Sequence, residues 1–120
     1  MAEERLTGPR YMVNWKARLM TQDRQVHDVT INEAIHGGLG VLGLQAMPLG
    51  TDVNIEFYVN YRGKQERIRA KTRVCYCRIL SGNEGVVLEL RITYTSKDEM
   101  HLYNNVLQVF SSSKEFQLRK

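Results

Sequence analysis

Two arginines near the start of the chain, Arg5 and Arg10, are followed some twenty residues later by Asn32-Glu33-Ala34-Ile35-His36-Gly37. Guanidinium groups stack on purine rings and pair bidentately with guanine O6 and N7. A side-chain amide such as Asn32 can accept a hydrogen bond from a guanine edge. Gly37 permits a positive φ or a close approach of backbone to ligand. Together these residue types suit a guanine-bearing anion. The plainer alternative is a hairpin in which Asn32 and Gly37 serve only the turn.

No other set of residues has the spacing of a reactive centre. His27, His36 and His101 fall in three different segments, without the His/Glu spacing of a metal-binding helix. No serine sits in a nucleophile elbow, and no glycine-rich loop runs into Lys-Ser or Lys-Thr. Asp28, Glu33 and Glu56 read as solvated charge on strand faces, and His36 as a turn histidine facing water. Cys75 and Cys77 are one residue apart, so on a regular strand they share a face. A disulfide that local would be strained, and a structural zinc site needs four ligands. Two reduced thiols in a cytosolic protein is the expectation. The chain is thus expected to be no enzyme, with no catalytic residue, metal or cofactor.

The elements that must position these residues are mostly strands. Tyr11, Val13, Trp15, Ala17 and Leu19 alternate with Met12, Asn14, Lys16, Arg18 and Met20, the period of a half-buried strand. Thr21 to Arg24 makes a turn, Val26 to Ile31 returns, and His36-Gly37-Gly38 breaks the pattern before a strand over Leu39 to Leu44. After a turn at Pro48-Leu49-Gly50-Thr51, Val53, Ile55, Phe57 and Val59 alternate again. Arg62-Gly63-Lys64 reads as a hairpin tip. Ile68, Ala70, Thr72, Val74 and Tyr76 form the apolar face of a long strand whose other face carries Arg67, Arg69, Lys71 and Arg73. Val86, Leu88, Leu90, Ile92 and Tyr94 complete the last strand. The period then changes. Ser96-Lys97-Asp98-Glu99 is a capping box, and Met100, Tyr103, Leu107 and Phe110 share one face of a helix expected over about Lys97 to Val109.

At 120 residues the chain has the size of one domain and can bury a core unaided. A net charge of +4 fits an anionic ligand and is too small to demand nucleic acid. No apolar run reaches the roughly 18 residues of a membrane span, and the acidic start is no signal peptide. The basic row on the long strand lacks interleaved aromatics, which argues against single-stranded RNA.

The order of these features resembles the PilZ domain, the bacterial receptor module for cyclic di-GMP. The resemblance covers roughly residues 5 to 110. It implies a fold class of all-β with a C-terminal helix, a six-stranded antiparallel barrel. It also implies an R-x-x-x-R motif before the first strand and a D/N-x-S-x-x-G motif after it. Arg10 matches the second arginine of the first motif. Leu6 stands where the first belongs, and Arg5 lies one place further out. The second motif fits best as Asn32-x-Ala34-x-x-Gly37, with Ala34 in place of serine. A rival register uses the Gly37-Gly38 pair and sets Glu33 and Ile35 at the polar positions. The resemblance therefore implies a cyclic di-GMP site of Arg5, Arg10, Asn32, Ala34 and Gly37. The domain reading is a flexible arm over 1–9, a barrel with helix over 10–110 and a polar tail over 111–120. On this reading the ligand pins the arm and alters the surface shown to a partner. That partner is expected to be a protein effector of motility, pilus, chemotaxis or polysaccharide production, in the cytoplasm. Two alternatives stand: a degenerate PilZ adaptor that has lost the ligand, and a basic RNA-binding barrel.

Overall fold

A computed structural model describes residues 5–43 and 45–112. Six antiparallel strands close a barrel: β1 (Arg10–Met20), β2 (Val26–Ile35), β3 (Gly38–Gly43), β4 (Asp52–Tyr61), β5 (Lys64–Ile79) and β6 (Val86–Tyr94). A helix, α1 (Lys97–Ser111), follows. The order around the barrel is β1-β2-β3-β6-β5-β4, closed by β4 on β1. Closure pairs every strand on both sides and leaves no full-length edge.

Alternation decides which side chains fill the interior. Val53, Ile55, Phe57 and Val59 of β4 are buried, as are Ile68, Ala70, Thr72 and Val74 of β5. Thr72 can sit there because its hydroxyl donates to the Val53 carbonyl oxygen at 2.9 Å. The Ser96 half of the capping box at the start of α1 forms, while the Glu99 carboxylate takes the Ser96 hydroxyl and the Arg69 amide rather than the Ser96 amide. The Ser96 hydroxyl accepts from the Glu99 amide at 3.1 Å and donates to the Glu99 carboxylate at 2.7 Å. The helix turns Tyr103, Val106 and Leu107 into the barrel core, where Tyr103 and Trp15 flank Phe57. Met100, expected on that face, lies at its margin and outside the core.

Four irregularities shift the pattern, one of them between Lys71 and Thr72 of β5 opposite β6. β2 runs on to Ile35 rather than stopping near Ile31, with a bulge between Ile31 and Glu33 opposite β3. β1 is irregular between Met12 and Trp15. β5 is bulged between Val74 and Tyr76. A bulge puts two residues opposite one and so exchanges the faces beyond it. Beyond the β5 bulge Cys77 packs against the core, while the Tyr76 ring, expected inside, lies under the Arg5 guanidinium. Leu44, Met1 to Glu4 of the arm, and 113–120 of the tail lie outside the described residues.

Candidate functional site

Strand pairing sets up two neighbouring rows on the outside of the barrel. One crosses Met12, Glu33, Gly40, Glu89 and Tyr76; the other crosses Arg10, Ile35, Gly38, Arg91 and Arg73. The two glycines make a shallow trough between the larger side chains. A Cβ on Gly38 would run into the Leu6 side chain and the Leu90 carbonyl oxygen. A Cβ on Gly40 would lie 2.9 Å from both Cβ and Oε1 of Glu33. Leu6 and Glu33 therefore occupy space that only glycine leaves free.

Glu89 is the centre of this surface. It is 0 % exposed although it points away from the core strands' interior face, because the segment before β1 folds over it. Arg10 Nη1 and Nη2 donate to its two oxygens at 2.9 and 3.2 Å. Arg5 donates through Nε at 2.8 Å and through Nη2 as well. The Leu6 backbone amide donates to Oε1 at 2.9 Å. Arg10 also donates to Glu33 Oε1 at 3.0 Å and to the Leu6 carbonyl oxygen at 2.7 Å. Burial alone would push the Glu89 carboxyl up. The hydrogen bonds from Arg10, Arg5 and the Leu6 amide outweigh it and hold the group below the ordinary carboxylate range. The same Glu89 hydrogen bond raises Arg10. Two arginines and two carboxylates thus form one compact set of balanced charge.

The residues expected to share a ligand are only partly brought together. Arg5 and Arg10 converge, on Glu89. Glu33, rather than Asn32, reaches Arg10 from β2. Asn32 Oδ1 is buried with no hydrogen-bond partner among the described residues. Ala34 is fully buried in the barrel core, so it is not presented to this surface at all. The bulge between Ile31 and Glu33 is the reason: it leaves Ile31 and Ala34, three residues apart, both facing inward. A serine at 34 would bury a hydroxyl in the core rather than offer it to a ligand. Gly37 turns the chain between β2 and β3 at φ +77°, and Gly38 is the glycine that a side chain overlies. Glu33 and Gly38 are the residues of this stretch that meet Arg10 and Leu6. Nothing in the sequence set Glu89 apart from other strand-face carboxylates; its neighbours Gly40 and Tyr76 come from other strands.

Tyr103 ties α1 to the same end of β2 and β3. Its hydroxyl donates to the Gly38 carbonyl oxygen at 2.7 Å and accepts from the Ile35 amide at 3.2 Å. Burial raises its phenol well above the usual range, so it stays neutral. Among the described residues no cluster of His, Cys, Asp and Glu could hold a metal, and no helix is long and apolar enough to cross a membrane.

No family model and no curated protein matches the chain. Solved structures do. The chain is similar to an inhibitor of motility from Bacillus subtilis (MotI/DgrA), with a TM-score of 0.74 at 10 % identity over 92 % of this chain. It spans 54 % of that protein, about half its length. It is also similar to the PilZ domain of YcgR from Escherichia coli, solved with cyclic di-GMP. There the TM-score is 0.63 at 13 % identity, over 92 % of this chain and 93 % of that one. The fold is PilZ-like. A PilZ-like barrel with its helix is what the order of strands, glycines and capping box implied, and at such low identity the likeness speaks for the fold alone.

Proposed function

We propose that this PilZ-like barrel works as a protein-binding adaptor whose cyclic di-GMP motif is closed by its own side chains. The observation that carries the reading is the fully buried Glu89 carboxylate, which takes both arginines and the Leu6 amide. Cyclic di-GMP brings two phosphates. To reach them, Arg5 and Arg10 must leave Glu89, and removing the partners of a buried charge costs about 3–5 kcal/mol. That cost weakens binding by roughly two to three and a half orders of magnitude. Glu33 adds a second carboxylate facing the phosphates, and Leu6 covers Gly38. The departures all act in one direction. Binding rather than catalysis is the mode this supports, and the name of the Bacillus neighbour points to a motility effector as the class of partner.

A receptor reading has one observation in its favour. The Arg5 side chain is 52 % exposed and lies over the Tyr76 ring, with Cζ 4.4 Å from the centroid. A guanine could exchange with Glu89 for a stacked arginine there. Calorimetry of the full chain with cyclic di-GMP separates the two. The adaptor gives no heat at ligand concentrations of about 100 μM, corresponding to affinity weaker than about −5.5 kcal/mol. A low-micromolar dissociation constant that vanishes in Arg10→Ala would establish the receptor instead.

A further inference from the structure

A second surface lies around the barrel from Glu89, where β1, β4 and β5 meet the start of α1. It is an open saddle of about 550 Å³. Pairing aligns Val26, Met20, Asn54, Lys71 and Tyr94 in one outer row and Asp28, Arg18, Glu56 and Arg69 in the next. Met20 and Val26 form one wall and Tyr94 the other, all three well exposed, Tyr94 at 65 %. Between them stand Arg18, Arg69 and Lys71, whose side chains have no partner among the described residues. Three carboxylates share this surface: Asp28 and Glu56 face Arg18 across the strands, Glu56 also faces Arg69, and Glu99 lines the saddle. Glu99 accepts from Ser96 and from the Arg69 backbone amide at 2.6 Å, and Glu56 lies 3.9 Å from Arg67.

We infer that this saddle docks an acidic, amphipathic segment of a protein partner. Three exposed cations with no side-chain partner among the described residues, interleaved with Asp28 and Glu56 between two apolar walls, complement a segment that alternates carboxylates with large apolar side chains. The apolar walls anchor it, and the cations supply orientation and speed of encounter. β4 and β5 are paired along their whole facing length here, so the segment must be held by side chains rather than added as a strand. An RNA strand would need several stacking rings along the cationic row, and Tyr94 is the one aromatic lining the saddle among the described residues. This inference rests on the adaptor reading and supplies the chemistry of its partner.

The test uses the full chain and a displayed library of random dodecapeptides. The expected outcome is enrichment of peptides rich in Asp and Glu with interspersed Leu, Phe or Tyr. A synthetic peptide of the leading sequence should shift the amide signals of Met20, Asn54, Lys71 and Tyr94, and lose affinity as salt is raised. Arg18→Ser/Lys71→Ser should weaken it at least tenfold, and Tyr94→Ala, on the other wall, should weaken it independently. All of these positions are exposed, and a thermal melt of each variant checks folding. Failure to enrich any sequence, enrichment of neutral or basic sequences, or shifts confined to other faces overturns the proposal. So does tighter binding of an RNA oligonucleotide or of anionic vesicles at the same residues. Cyclic di-GMP is titrated into the same sample. Shifts at Arg5, Leu6 and Glu33 would overturn the adaptor reading while leaving the saddle to stand or fall on its own signals.

Discussion

The face around Glu89 and the saddle around Lys71 are both built from arginines, carboxylates and a tyrosine on the outside of one barrel, and they are opposites. On the first, Arg5 and Arg10 are closed over a carboxylate with no exposure to solvent. On the second, Arg18, Arg69 and Lys71 stand in water beside exposed apolar side chains. Charge type alone does not separate a structural ion-pair cluster from a binding surface. What separates them is whether the chain supplies the counter-charge and the cover. The arm does both for Glu89. At the saddle Asp28, Glu56 and Glu99 lie near the cations without pairing with their side chains, and the cations stay exposed.

The sharpest way to break this contrast is to remove one cation from each face. Arg10→Ala strips Glu89 of its bidentate partner. It should cost about 3 kcal/mol in urea unfolding, the lower end of the range for a broken buried pair, because Arg5 and the Leu6 amide remain. A loss under about 1 kcal/mol would mean that the arm is not latched in solution.

Glu89→Gln keeps the shape and removes the charge. The expected loss is about 1.5–3 kcal/mol, the value of hydrogen bonds to a charged group. The same group governs acid stability. Its carboxyl is held down in the folded state, so its contribution is complete above the ordinary glutamate range and fades as pH falls through the lower folded value. Stability measured from pH 6 down to about pH 2.5 should fall in wild type and fall less steeply in Glu89→Gln. Parallel curves would place the acid sensitivity elsewhere.

Gly38→Ala tests the trough. The added methyl meets Leu6 and the Leu90 carbonyl oxygen, and a backbone atom cannot step aside. A loss of about 1–3 kcal/mol is expected, with the arm lifted. Faster amide exchange at Leu6 would report it, and unchanged exchange would show that Leu6 is seated some other way.

The smallest effect is expected on the open face. Arg69→Ala should change stability by no more than about 0.5 kcal/mol, since its side chain is exposed and unpaired. A larger loss would show that the saddle is structural and not a surface kept for a partner.

The strands and the helix were legible because period two and period 3.6 are local. Val53 to Val59 alternates without interruption and is buried as that pattern requires, and Ser96 with Glu99 caps a helix using four consecutive residues. Those signals need no knowledge of the partner strand. The resemblance of motif order to a known family extended the reading from strands to a closed barrel.

Tertiary structure alone decided which side chains meet. Alternation assigns a face only until a bulge exchanges it, and bulges arise from the pairing of two strands rather than from either sequence. Ala34 went inward and Tyr76 outward for that reason, so of the expected set Arg5, Arg10, Asn32, Ala34 and Gly37 the two arginines meet on Glu89, with Glu33 beside them. The partners of Glu89 lie 79 to 84 residues away in the chain. They reach it only once β1, β2, β3 and β6 lie side by side and two glycines leave room for the arm. The sequence by itself determined that this chain forms strands, a capped helix and an excess of positive charge. The closed barrel determined which of those charges are spent on one buried carboxylate and which remain exposed on its surface, because burial and pairing belong to neighbours in space.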